Sequence, residues 1–111
     1  MVNRSSSRKY RLWLEHEVHD GRNLLPGNIR QRVKKLIISL VNQPRPTSSQ
    51  VLDIGELALP AQVEIRRIRL EKWRIIYAVN DADLWVWVLG IRQRPPYDYE
   101  DLEELAAKIS D

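Results

Sequence analysis

Apolar residues recur along this chain first at alternating, then at helical, then again at alternating spacing. Tyr10-Arg11-Leu12-Trp13-Leu14-Glu15 alternates, with Tyr10, Leu12 and Leu14 on one side, and predicts a short first strand. His16 and His19 follow in a short helical or irregular stretch that ends near Leu24-Leu25-Pro26. Ile29, Val33, Leu36, Ile37, Leu40 and Val41 then fall at every third or fourth position, the apolar stripe of one helix. Leu25-Pro26-Gly27-Asn28 is its leading turn, with Asn28 as the expected cap. Asn42-Gln43-Pro44-Arg45-Pro46 ends it, because proline cannot continue a helix and biases the residue before it to extended geometry. Residues 47–50 are expected as loop and 51–60 as an irregular connection across the sheet edge.

Alternation returns in three stretches, Val63 to Leu70, Trp73 to Val79 and Leu84 to Arg92, all rich in β-branched and aromatic residues. Asn80-Asp81-Ala82-Asp83 reads as the turn between the last two. Side chains alternate across a strand, so loop length decides which residues share a face. A three-residue loop, Asp81 to Asp83, sets Trp73, Ile75, Tyr77 and Val79 beside Trp85, Trp87, Leu89 and Ile91 as an aromatic core floor. The opposite face then carries Arg74, Ile76 and Ala78 beside Val86, Val88, Gly90 and Arg92. In the preceding strand the apolar parity slips at Arg66-Arg67, and a bulge there would reconcile its two halves. Pro95-Pro96 stops the ladder. Asp98 is the expected cap of a last helix striped by Leu102, Leu105, Ala106 and Ile109, with acids at its start and Lys108 near its end, as the helix dipole favours.

The pattern predicts an α+β fold, a basic arm over residues 1–9 and one domain over 10–111. The 111 residues suffice for one core, and 43% apolar with 30% charged residues is ordinary for a soluble protein. No run approaches a membrane span, no signal-peptide core opens the chain, and the lack of cysteine rules out disulfides and thiolate metal sites. A cytoplasmic protein is expected. The net charge of +3 is modest but uneven: residues 1–50 hold ten Lys/Arg against three acids, and residues 98–111 hold six acids against one lysine. A basic body with an acidic tail favours a polyanionic partner.

The same parity gathers Arg67, Arg69, Arg74 and Arg92 on one face, once Glu71-Lys72 joins the first two strands of the hairpin set. Like charges opposite one another destabilise a sheet, so four guanidiniums invite an anion. Each guanidinium presents a planar, permanently protonated fork suited to phosphate oxygens. The competing reading is a solvated outer face of a one-sided sheet. Arg30, Arg32, Lys34 and Lys35 on the long helix are likewise either a solvated face or a nucleic-acid contact. His16 and His19 lack further ligands nearby and are expected as surface residues, with no metal.

The order strand, helix or helical hairpin, antiparallel sheet of about four strands, short C-terminal helix resembles the RelE/ParE superfamily of bacterial toxins. Leu25-Pro26-Gly27-Asn28-Ile29-Arg30-Gln31-Arg32 looks like the start of that family's long helix. Arg67-Ile68-Arg69 before Trp73-Arg74-Ile75-Ile76-Tyr77 matches its R-x-R and [YW]-R-x-x-Y strands. Gly90-Ile91-Arg92-Gln93-Arg94 with Tyr97 and Tyr99 looks like its C-terminal R-x-R…Y segment. The similarity runs from about Tyr10 to Ile109.

The resemblance implies the toxin of a type II toxin–antitoxin system, a metal-independent endoribonuclease cleaving mRNA in the ribosomal A site. The implied partners are mRNA, the ribosome with its 16S rRNA, and a cognate antitoxin in a hetero-oligomer; neither cofactor nor membrane is implied. Carried over, Arg67, Arg69, Arg74 and Arg92 would hold the phosphate, and Tyr97 or Tyr99 would do acid–base work or stack on a base. Arg94, Lys72, Arg30 and Lys34 are further candidate RNA contacts. Where RelE proper has lysines, this chain has Ile65 and Arg67, so the general base stays open among Lys72, Glu71, Asp98 and the tyrosines. The alternative implied function is a ParE-like, non-nuclease inhibitor of DNA gyrase.

Overall fold

A computed structural model describes residues 9–55, 59–60, 62–94 and 97–110. The expected basic arm lies outside them except for Lys9. The elements run β1 (Arg11–Leu14), α1 (His16–Arg22), α2 (Gly27–Ser39), β2 (Ser49–Val51), β3 (Val63–Leu70), β4 (Trp73–Asn80), β5 (Trp85–Gln93) and α3 (Leu102–Ser110).

The sheet has five strands in the order β1-β5-β4-β3-β2. It is mixed rather than wholly antiparallel: β1 runs parallel to β5, from Arg11 opposite Trp85 to Leu14 opposite Val88. The strand β2, antiparallel to β3, occupies a stretch expected as loop. Three residues, two of them Ser and Gln, carry no alternation by which to recognise a strand.

The long helix forms as its stripe predicts, with Ile29, Val33, Ile37 and Leu40 buried. Its cap position is Pro26 rather than Asn28, which already lies inside the first turn. The Pro26 carbonyl accepts the first helical hydrogen bond, from Arg30 N at 2.8 Å, and proline's fixed φ suits this entry. The last helix begins at Leu102; Asp98 accepts a hydrogen bond from Glu100 N one turn ahead of it and does not cap the helix itself.

The β4–β5 register departs from the expected one in its outer half. Asn80 pairs with Trp85, so the loop is four residues, Asp81 to Leu84, and Leu84 takes the left-handed conformation at φ 56°. Tyr77 consequently faces Val88 and Val79 faces Val86. A bulge between Ile76 and Tyr77, leaving Leu89 as the extra residue of β5, then restores parity, so that Ile75 meets Ile91 and Arg74 meets Arg92.

Both faces of the sheet are consequently cores. Ile68, Ile75, Tyr77, Val79, Val86 and Val88 pack against Val18, Leu25, Ile29, Val33, Ile37 and Leu40. On the other side Ile65, Ile76, Ala78, Trp85 and Leu89 pack against Leu105, Ala106 and Ile109 of α3. The aromatic residues are therefore divided: Trp85 and Trp87 lie across the sheet from Tyr77 and gather with Trp13, at ring separations of 5.5 and 5.7 Å. No bulge interrupts Arg66-Arg67, since β3 pairs residue by residue from Val63 to Leu70. The parity slip in the sequence records burial of Ile65 under α3 and of Ile68 on the side of α2.

Tyr77 sits at the centre of the helical-side core, and its hydroxyl donates to the Pro44 carbonyl at 2.7 Å. Burial raises its pKa above the ordinary phenol value. Tyr77→Phe would strand that carbonyl and is expected to lower the unfolding free energy by about 1–2 kcal/mol. Urea denaturation measures this, and an unchanged midpoint would remove the bond's role as the tie between β4 and the post-helical prolines.

Candidate functional site

The pairing of three strands places Arg67, Arg69, Arg74 and Arg92 on one face: Arg67 opposes Ile76, Arg69 opposes Arg74, and Arg74 opposes Arg92. This is the face that α3 covers farther along, so the arginines emerge at the rim of a core. They do not converge on one anion. They divide into an open pair, a buried residue and a restrained residue.

Arg67 and Arg69 are the open pair. With Gln50, Asp53, Arg94 and Tyr99 they line a concavity of about 370 Å³. A second concavity of about 510 Å³ shares Gln50, Arg67 and Arg69 and continues along Thr47, Ser48 and Ser49. Together they form a basic trough with hydroxyl groups at one end and an aromatic ring at the other. Arg67 Nη2 donates to Gln50 Oε1 at 2.6 Å, which fixes its direction across the β2–β3 edge. Arg94 lies over the Tyr99 ring at 5.3 Å and donates to the Tyr97 carbonyl. Tyr99 itself is held at φ 66°, a left-handed conformation costly for an aromatic residue.

Arg74 is buried, only 8% exposed. Its Nη1 donates to the carbonyls of Glu71 and Trp73 at 2.8 and 3.0 Å. These bonds support the β3–β4 turn, where Glu71 adopts φ 53° without a glycine. Arg74 Nε is buried without a hydrogen-bond partner. An unsatisfied buried donor is costly, so this group is unlike an ordinary structural arginine.

Arg92 is held by acids from two helical regions. Its Nη2 donates to Glu17 Oε1 at 2.9 Å, and its Nε to Asp101 Oδ2 at 3.0 Å. Burial alone would lower its pKa, but the bonds to Glu17 and Asp101 outweigh that and raise it. The side chain folds back over Gly90, where a Cβ would stand 2.6 Å from Arg92 Nη1. Glycine inside this strand is the space into which the guanidinium lies. Tyr97 stacks under Arg92 at 5.8 Å and donates its hydroxyl to Asp101 Oδ1. Burial and the adjacent Asp101 push the Tyr97 phenol well above its ordinary pKa, so it stays protonated and serves as a donor.

Of the other sequence candidates, Lys72 is exposed in the β3–β4 turn. Arg30 and Lys34 are exposed on α2, where they line a separate hollow with Arg22. That helix packs on the opposite side of the sheet from the four arginines. His16 and His19 are exposed, the former 3.8 Å from Asp20. Glu17, Gln50 and Asp101 are the site residues that the sequence reading missed. Asp101 follows Tyr97 by four positions but reads as one acid among several in a helix start. Glu17 is 75 residues from Arg92, beyond any local signal.

This architecture is the RelE-like fold. A chain of the archaeal RelE–RelB complex from Pyrococcus horikoshii OT3 superposes with a TM-score of 0.68 at 24% identity, covering 80% of this chain and 99% of that one. A chain of the Mycobacterium tuberculosis RelBE2 toxin–antitoxin complex gives 0.61 at 21% identity, covering 78% and 99%. The isolated E. coli RelE toxin gives 0.53 at 20% identity, covering 90% and 98%. No protein-family model matches the chain, and no curated protein matches it in sequence. Among the described residues no helix is long and apolar enough to cross a membrane.

Proposed function

We propose that this protein is the toxin of a type II toxin–antitoxin pair, a cytoplasmic, metal-independent endoribonuclease that cuts mRNA on the ribosome. The observation that carries the reading is the arginine trough, which opens beside Arg74 and Arg92 on a RelE-like framework. Arginine forks and hydroxyls suit a phosphodiester backbone, and Tyr99 gives a base a surface on which to stack. In the reaction the ribose 2′-oxygen bonds to the adjacent phosphorus, the bond to the 5′-oxygen breaks, and the 2′-proton passes to a base. Arg92 stabilises the charge that builds on the phosphate oxygens, Arg74 braces the β3–β4 turn beside it, and Arg67, Arg69 and Arg94 hold the flanking backbone. Tyr97, whose single hydroxyl hydrogen is given to Asp101, steadies Arg92 from beneath, and the departing 5′-oxygen takes its proton from solvent. The proton acceptor is unassigned.

The solved neighbours include RelE–RelB and RelBE2 complexes, which supports an antitoxin partner for this chain. Brief induction followed by primer extension tests the activity: new 5′ ends inside reading frames are expected. Intact transcripts together with inhibited gyrase supercoiling would replace this reading with the ParE-like one.

A further inference from the structure

Among the described residues Arg92 is the one candidate phosphate ligand of the site held by two carboxylates, and the two are not equivalent. Asp101 lies where α3 begins, and its side chain is 25% exposed. It bonds both Arg92 and Tyr97, so it aligns two groups at once. Glu17 comes from α1; its side chain is 43% exposed, and Arg92 is its sole ion-pair partner among the described residues. A carboxylate offers a guanidinium the same two-oxygen geometry as a phosphate does. Glu17 therefore shares the Arg92 donor Nη2 with Asp101 Oδ2, 3.0 Å away, at the guanidinium edge that a substrate phosphate would approach.

We propose that Glu17 is a built-in competitor of the RNA phosphate at Arg92, displaced when substrate binds, while Asp101 remains as the positioning residue for Arg92 and Tyr97. The inference rests on the nuclease reading and adds to it a gate on phosphate entry. Its physical basis is exchange of one anion for another. Leaving Arg92 unpaired in the resting protein would strand a half-buried cation, and pairing it twice would hold off phosphate if neither acid yielded. Glu17, the more exposed acid and one that aligns no second group, is the one that yields at least cost.

The test compares Glu17→Gln with Glu103→Gln, which makes the same charge change at an exposed acid of α3 outside the Arg92 ion pairs. Fluorescence anisotropy with a fully 2′-O-methylated RNA reads binding without cleavage. Glu17→Gln is expected to tighten binding about three- to fivefold, the scale of one exposed ion pair, with Glu103→Gln close to the native protein. In cleavage assays Glu17→Gln should lower KM at undiminished kcat. Asp101→Asn should lower kcat at little changed KM, with partial rescue by Asp101→Glu. Equal tightening by both glutamine variants, or none by Glu17→Gln, overturns the competition. If the native chain cuts no RNA, the nuclease reading fails, and the anisotropy comparison still decides whether Glu17 competes for Arg92.

Discussion

Arg92→Ala is expected to lower RNA cleavage by about 10²- to 10³-fold, the usual effect of removing one preorganised charge from a developing oxyanion. The expected change in stability is far smaller. Glu17 and Asp101, 43% and 25% exposed, are both open enough to water to be rehydrated, so the folding penalty should stay near about 1 kcal/mol. The contrast makes the variant informative: primer extension against native protein reads the chemistry, and a urea melt reads the fold. Cleavage within about threefold of native, at native stability, would remove Arg92 from the mechanism and shift attention to Arg67 and Arg69 in the open trough.

Ile76→Ala is expected to destabilise the protein by about 2–5 kcal/mol, the range for deleting a fully buried branched side chain from a close-packed core. Ile76 is 0% exposed and belongs to the cluster beneath α3, whereas Ile75, also 0% exposed, belongs to the cluster beneath the first two helices. On a one-sided sheet only one of the two would be costly. Here Ile75→Ala and Ile76→Ala should cost similar amounts, measured by urea denaturation of each. A loss under about 1 kcal/mol at Ile76 would mean that α3 does not seal that face in solution.

The two faces also explain what the sequence reading reached and what it missed. The α2 stripe was plain because the helix buries one side only. The four arginines do share the face that strand alternation predicts, although the hairpin that joins β4 to β5 differs from the predicted one. The loop is one residue longer than expected, and Leu89 adds one more, so two departures of odd parity cancel before Arg74 and Arg92 are reached. Trp85, Val86, Trp87 and Val88 lie between those two departures and so sit on the faces opposite to those expected, as does Leu89 at the bulge. At Ile65 and Ile68 the two-sided burial mimicked a bulge. Glu17 and Asp101 were invisible as partners of Arg92, because their contact depends on tertiary placement of two short helices. Asp101 is one of the acids that the dipole of α3 favours at its start, and it bonds Arg92 and Tyr97 as well.

The parallel pairing of β1 with β5 has a consequence for how the protein is made. Leu14 leads directly into α1, so a residue from the first fifth of the chain, Glu17, is brought against Arg92 only after β5 has been synthesised. Asp101 lies later still. A chain translated only through α2 therefore has its early elements while its cationic centre remains unassembled, and the full constellation forms only once residue 101 has been added.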